Sequence, residues 1–558
     1  MLGEISQYSD VHHQQFNDYG SVQKLMKAFF DSMVESKNVP RRVDLLPIYD
    51  GTEYGANRHI ISSLFESDII LTMDQLKGII LAEQRQENKR QKRKVITGIV
   101  YRWQTNRPIP YEFRGNNERK SSKKYEIFIL KYSENWKKTI RSSLDFWEKE
   151  TCLRWQENGW GNDRIIFVQG SGCYSSVGRT GGQQLISIGF GCDQKGIVTH
   201  EIGHSLGFWH EQSRADRDYY LRLQHKYIAR GSEGNFVKRS IVESDNMGLP
   251  FDFGSIMLYG PNAFSNNWKH ATIETINKNY QHTIGQRSGP SFIDVKQVNR
   301  LYCHGKPISF RHFDRSTATA YENQFFFLRA NSINVFSDRC LTILSLPCRN
   351  GGYADPNNCQ RCKCPSGLGG PICDDVQPSS CGRELIATET WQKLSHAGKE
   401  KCYWRIKTNN AKIRLHVELV SFRCEITCRS YIEIKHNWDF QQTGFRICCN
   451  EQMEVISDGN EVIVIFDATE VDRDGSFILL FIKGRENRPF RNIAGYGSGG
   501  PVERFILNFI PRVRDQRYPA ISIASIVTDF TLERILSATE LRKKNLLKIQ
   551  TDTKTKEW

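Results

Sequence analysis

Between residues 200 and 210 the chain reads His-Glu-Ile-Gly-His-Ser-Leu-Gly-Phe-Trp-His, and few folds satisfy what that run demands. On an α-helix, residues four apart share one face, about 6 Å apart along the axis. His200 and His204 can then each direct a ring nitrogen at one zinc ion, at the usual Zn–N distance of about 2.0–2.1 Å. Gly207 can take the left-handed conformation that stops a helix and reverses the chain, which brings His210 to the same ion from another direction. Three neutral imidazoles leave the ion's positive charge intact and one position open, which makes a strong Lewis acid. Glu201, beside the first ligand, is placed to take a proton from water there and deliver it to a leaving amine. Peptide-bond hydrolysis is the reaction class this set suits.

The rest of the chain bounds where such a site can sit. With 558 residues, 39% hydrophobic and 25% charged, it is not wholly disordered, collagenous or coiled-coil, and roughly three to five domains are expected. No apolar run approaches the roughly 20 residues a membrane-spanning helix needs, so no membrane span is expected. The net charge of +15 raises nucleic acid as a partner, but the densest basic run, Lys89 to Lys94, is short. It reads as a processing site or a solvated linker, and no nucleic-acid partner is expected. Sixteen cysteines are present, none before Cys152. Six of them (Cys340, Cys348, Cys359, Cys362, Cys364 and Cys373) crowd a stretch too small to bury its own core, which argues for a disulfide scaffold made in an oxidising compartment. A zinc ribbon through Cys359-x-x-Cys362 competes with that reading but lacks a second matching pair. The first ten residues show no basic segment followed by an apolar run, so no secretory signal is visible; either the chain start is incomplete or mispredicted, which is the expectation, or the disulfide reading is wrong.

Patterning divides the chain. Residues 1–93 are polar and cysteine-free and end in the basic run, as a removable leader would. From Tyr125 to Glu150 apolar residues recur at helical spacing (Ile127, Leu130, Ile140, Leu144, Trp147), predicting a long amphipathic helix. Short strands are expected over Arg164 to Gln169 and Leu185 to Ile188, and a second helix from about Gly196. Mixed elements in 94–303 indicate an α+β domain. Residues 304–339 read as a linker. From 381 to 484, alternation over Lys412 to Val417, Tyr431 to Lys435, Glu461 to Phe466 and Ser476 to Ile482 is the pattern of a β-sandwich. The tail, 485–558, offers no functional signal beyond one possible helix from Leu532 to Lys548.

With the His200–His210 run, Glu211 to Asp218 and Ser255-Ile256-Met257-Leu258-Tyr259, the stretch 94–303 closely resembles the astacin family of zinc endopeptidases, within the metzincins. The resemblance implies one catalytic Zn2+ on His200, His204 and His210, with Glu201 as general base and acid. It implies that Met257 forms a hydrophobic floor beneath the imidazoles, as the Met-turn, and that Tyr259 swings to stabilise the oxyanion. Where Leu258 stands the family usually has His. Gly172 to Arg179 and Gly189 to Cys192 also match, implying bridges Cys173 to Cys192 and Cys152 to Cys303. In the leader, Phe65-Glu66-Ser67-Asp68 resembles the family's F-x-G-D element, which makes Asp68 a zinc-ligating latency switch; Ser67 replaces the usual Gly. Arg90-Gln91-Lys92-Arg93 resembles a furin-type recognition sequence, so a furin-like activating protease is expected to make Lys94 the mature N-terminus, its ammonium pairing with Glu211 through buried water.

Residues 340–373 resemble an EGF-like module, implying Cys340–Cys359, Cys348–Cys362 and Cys364–Cys373, and 381–484 resemble a CUB domain, implying Cys381–Cys402. Cys424, Cys428, Cys448 and Cys449 should supply two more bridges, whose pairing the sequence leaves open. The order of leader, catalytic, EGF-like and CUB segments resembles nematode astacins. That implies a secreted, zymogen-activated endopeptidase acting on extracellular matrix or cuticle proteins. The alternative from another class is a matrix-binding protein in which the EGF-like and CUB modules work over an inactive protease core.

Overall fold

The computed structural model describes residues 19–32, 51–85, 95–114, 123–240, 244–303, 346–470 and 474–484. The basic run with Lys94, the 304–339 linker, Cys340 with its expected bridge to Cys359, and the whole of 485–558 lie outside the described residues.

Three helices precede the basic run: α1 (Tyr19–Ser32), α2 (Glu53–Asn57) and α3 (Met73–Arg85). Three more frame the following segment: α4 (Lys123–Glu150), α5 (Lys195–Ser205) and α6 (Phe292–Tyr302). Helix α4 is the long amphipathic one expected from the 3.6-residue period. Its Trp136, Ile140, Leu144 and Trp147 are buried in one cluster with Ile197, Val198 and Ile202 of α5.

That cluster lies against a six-stranded sheet of β1 (Ile69–Ile70), β2 (Ile109–Arg114), β3 (Trp155–Glu157), β4 (Arg164–Val168), β5 (Cys173–Ser176) and β6 (Gln183–Ile188). The order is β1-β5-β6-β4-β2-β3. β2 is parallel to both β3 and β4, and β6 is parallel to β4, while β5 runs antiparallel to β6. β1 adds to the edge of β5 in parallel, Ile69 opposite Ser175 and Ile70 opposite Ser176. Side chains extend this edge mimicry. Asn57 accepts from the Cys173 N–H at 2.8 Å and donates to the Ser67 carbonyl at 3.0 Å.

Disulfides join Cys152 to Cys303 and Cys173 to Cys192. The first ties the end of α4 to the end of α6, and a cross-link over 151 residues constrains the unfolded chain by about 5 kcal/mol on the chain-entropy account. Beyond it, a small disulfide-rich segment carries Cys348–Cys362 and Cys364–Cys373. There Asn357 donates to the carbonyls of Lys149 and Thr151 at 3.0 Å each, closing the C-terminus of α4. Residues 384–483 form a sandwich of a five-stranded and a four-stranded sheet. The strand expected over Tyr431 to Lys435 has those bounds, and the one expected from Lys412 runs from Ile413 to Ser421. Bridges Cys381–Cys402, Cys424–Cys449 and Cys428–Cys448 staple it, resolving the pairing the sequence left open. No described helix is long and apolar enough to cross a membrane.

Candidate active site

Every residue of α5 from Gly196 to Ser205 is buried, so both of its histidines project into the interior. The helix starts where only glycine fits: a Cβ on Gly196 would lie 1.6 Å from the Arg287 carbonyl oxygen. Gly196→Ala should therefore destabilise the fold by about 3 kcal/mol, the upper end for overpacking, seen as a melting temperature roughly 6–12 °C lower. The helix ends at Gly207, whose φ is 108°. Its N–H donates to the His204 carbonyl at 2.8 Å, and Phe208 donates to Gly203 at 3.1 Å. The Trp103 indole and the Tyr302 hydroxyl, each at 2.8 Å, satisfy the carbonyls of Ser205 and Leu206.

The reversal brings His210 beside the other two rings. Each ring's Nδ1 faces an acceptor at 2.8 Å: His200 the Ile256 carbonyl, His204 the Phe208 carbonyl, His210 the Glu66 carboxylate. With Nδ1 committed as donor, every Nε2 presents a lone pair inward. The His200 and His204 Nε2 atoms are 3.0 Å apart, and the three nitrogens with an Asp68 oxygen lie within 4.8 Å of one another. Converging lone pairs repel unless a cation lies among them, so this donor set fits zinc. Met257 is fully buried. A Cβ on Gly203 would meet its sulfur at 3.1 Å, so the glycine lets the Met-turn close under the helix.

Asp294 fixes that turn. It accepts from the Ser255 hydroxyl at 2.7 Å and from the Ile256 N–H at 2.8 Å while forming the capping box of α6 with Ser291. Because the Ile256 carbonyl in turn accepts from His200, Asp294 orients a metal ligand at one remove. Sequence reading missed it; Ser291-x-x-Asp294 ahead of an apolar helix was the available signal.

Residues 65–68 enter this site. Asp68 Oδ2 is 3.2 Å from the Nε2 atoms of both His200 and His210. Burial works to raise its carboxyl, but the three histidines around it outweigh this and hold it well below the usual carboxylate range. Glu66 and Ser67 turn the chain with φ of 44° and 73°. Ser67 thus accepts a left-handed conformation that glycine adopts freely, at about 1–2 kcal/mol. The Glu66 carbonyl accepts from the Tyr259 hydroxyl. Glu53 forms a buried ion pair with Arg287, Nε to carboxylate 2.7 Å. Burial would raise Glu53, yet the Arg287 charge brings it down to about 2. Arg287 also donates to the Leu258 carbonyl at 3.1 Å.

Glu201 is fully buried, and neither of its carboxylate oxygens has a hydrogen-bond partner among the described residues. Burial, then the charges of Asp68 and Glu53, push its carboxyl well above the usual range. Tyr259 packs 4.6 Å from the His210 ring, and burial followed by the Asp68 and Glu66 charges pushes its hydroxyl up. Glu211 sits beyond His210: its N–H donates to the Met257 carbonyl at 2.9 Å, and its carboxylate accepts from Arg214 and from the Asp252 N–H at 3.0 Å each. Its expected partner, Lys94, lies outside the described residues.

A buried His-Glu-x-x-His helix, a third histidine past a glycine turn and a methionine turn beneath all three rings define a zinc peptidase of the metzincin class. The sequence profile of the Astacin peptidase family matches residues 95–303, and zinc metalloproteinase nas-30 of Caenorhabditis elegans is 45% identical over 573 residues, spanning 96% of this chain and 70% of that one. The chain belongs to the astacin family of zinc metalloproteinases. Zinc metalloproteinase nas-37 of Caenorhabditis elegans is 36% identical over 484 residues, or 84% of this chain and 56% of that one. High choriolytic enzyme 1, a hatching enzyme zinc-protease from Oryzias latipes, shares 33% identity over 37% of this chain and 98% of its own, with a TM-score of 0.32.

Proposed function

We propose that the chain is the zymogen of a secreted zinc endopeptidase whose leader, residues 1–93, blocks the site through Asp68. The observation that carries this is the Asp68 carboxylate standing among the three histidine Nε2 atoms at 3.2–3.5 Å, where a peptide carbonyl or water would otherwise approach. His200, His204 and His210 hold the metal. Zinc bound there supplies a Lewis acid that acidifies a water molecule and polarises the scissile carbonyl. Glu201, with no hydrogen-bond partner among the described residues, takes the proton and returns it to the departing amine. Once the Glu66 carbonyl is gone, the Tyr259 hydroxyl is free to donate to the carbonyl oxygen as negative charge develops on it.

The disulfide-rich segment and the sandwich are compatible with EGF-like and CUB modules, and with the disulfides they suit a protein made in an oxidising compartment. By likeness to the nematode relatives, the substrates are extracellular matrix or cuticle proteins, and a furin-like protease cuts after Arg93. The test is cleavage of denatured collagen and casein by the full chain before and after processing at Arg93. Processing should switch activity on, a chelator should abolish it, and one equivalent of zinc should restore it. Retention on matrix with no hydrolysis by the zinc-loaded, processed chain would instead favour a binding protein over an inactive core.

A further inference from the structure

Residues 251–255 lead into the Met-turn, and a loop of the sandwich holds them. The Asp252 carboxylate is buried, where an acid is tolerated when hydrogen-bond donors answer it. One donor comes from the loop between the sandwich strands Tyr431–Lys435 and Phe445–Ile447: the Thr443 N–H meets Asp252 Oδ1 at 2.9 Å, beside the Gly254 N–H at 3.2 Å. In the same loop the Gln442 side chain donates to the Phe251 carbonyl at 2.8 Å. The approach is close enough to require glycine, since a Cβ on Gly254 would lie 2.3 Å from Thr443 Oγ1 and 2.5 Å from the Thr443 Cβ.

Further contacts fix this loop in place. The Arg446 N–H donates to the Thr283 hydroxyl and the Cys428 N–H to the His282 carbonyl, each at 2.9 Å. The Tyr280 ring lies 4.2 Å from Phe253 and 5.9 Å from Phe445 of the sandwich. Phe251, Phe253, Leu258 and Tyr259 share one buried cluster with Ile434 and Phe445. Joined domains move relative to one another by default, and a shared apolar interface is what prevents it. From the held loop two paths reach metal ligands. The Asp252 N–H donates to Glu211 Oε1 at 3.0 Å, and Glu211, next to His210 in the chain, donates its own N–H to the Met257 carbonyl at 2.9 Å. The Asp252 carbonyl accepts from the Ser255 N–H at 3.1 Å, at the start of the turn whose Ile256 carbonyl faces His200 Nδ1 at 2.8 Å. None of these hydrogen bonds involves residues 1–93.

We propose that the sandwich is a working part of the catalytic site and not a tethered module: Gln442 and Thr443 are positioning residues that set the 251–255 loop, the Met-turn and, through them, His200 and His210. A displacement of about 1 Å in such a support can cost about 100-fold in rate. The proposal rests on the peptidase reading only for that rate; the clamp itself belongs to the unprocessed chain.

The test pairs a clash with its relief. Gly254→Ala adds a methyl group whose three nearest neighbours are all Thr443 side-chain atoms, and Thr443→Gly removes those atoms while keeping the N–H. In the unprocessed full chain, Gly254→Ala should speed amide exchange across residues 249–259 at least tenfold, read by mass spectrometry, and weaken zinc retention against a competing chelator about tenfold. The double variant should return both to within threefold of native, a coupling that independent sites would not show. After processing, hydrolysis of a short peptide should follow the same order: kcat at least tenfold lower in Gly254→Ala with KM within twofold, and kcat restored in the double variant. Should Gly254→Ala fail to fold, Gln442→Ala, which removes a donor without adding bulk, is read on the same measurements, with changes of at least threefold expected. Native values in the variant that is read overturn the clamp. A loss that Thr443→Gly does not relieve overturns the part given to the sandwich, since the strain then lies within the loop. A change confined to KM overturns positioning in favour of substrate docking. Failure of the native processed chain to cleave any peptide would count against the peptidase reading and leave exchange and zinc retention to decide the clamp.

Discussion

The processed chain carrying Glu201→Ala is expected to hydrolyse a peptide about 10^4-fold more slowly than the native one, the top of the range for a lost general base, while still holding one zinc per chain. The two halves follow from separate contacts. The carboxylate touches none of the atoms that orient the imidazoles of the zinc helix, whose Nδ1 positions face the Ile256 and Phe208 carbonyls, so metal retention should survive its removal. Nothing nearby can replace it. Tyr259 is held protonated by burial, and Glu211 is engaged by Arg214 and Asp252. Glu201→Gln, which keeps the shape and removes the basicity, should lose as much as Ala; Glu201→Asp, basic but shorter, should recover part of the rate. Metal content by mass spectrometry and single-turnover hydrolysis of a quenched peptide read the two halves independently. A loss below tenfold with zinc retained would remove Glu201 from the chemistry.

What the sequence disclosed follows from how far apart the participating residues are. His200, Glu201, His204 and Gly207 act within two helical turns, so spacing alone shows one face, one metal and one stop. Met257 and Tyr259 were legible through resemblance, since a lone Met and Tyr in a turn carry no signal of their own. The long α4 was legible through its period, and Ile140, Leu144 and Trp147, which that period marks, are buried. The leader's grip was only partly visible. Asp68 announced itself through a motif, whereas Glu53 meets Arg287 across 234 residues and Glu66 meets Ser213 across 147. Such pairs are created by the fold, and a lone glutamate in a polar leader has no periodicity or spacing to betray it. The same holds for Asn57, whose side chain hydrogen-bonds to the edge strand as though it were main chain. The second pair of sandwich bridges was beyond reach for a different reason: four cysteines permit three connectivities, and strand register chooses among them.

In the unprocessed chain the largest effect should come from Asp68→Ala, with Arg90 and Arg93 changed to Ala to prevent cleavage. Asp68 is fully buried and answers three imidazoles, and removing one member of such a set costs about 3–5 kcal/mol. Peptide hydrolysis should rise about 10^2- to 10^3-fold above the silent zymogen. It should still fall short of the processed enzyme, because the leader keeps other holds that do not pass through the metal: the Glu53–Arg287 ion pair, the β1–β5 pairing, the Gln75 side chain donating to the Val177 carbonyl at 3.0 Å, and the apolar cluster of Val22, Met26, Phe30 and Phe65 with Trp209 and Val237. Adding Glu53→Ala should open the site further, and Glu53→Ala alone should do little while Asp68 still blocks. If Asp68→Ala stays as silent as the intact zymogen while the processed chain is active, latency resides in coverage of the cleft and not in the carboxylate among the histidines. If it is as active as the processed chain, the remaining contacts contribute nothing to inhibition.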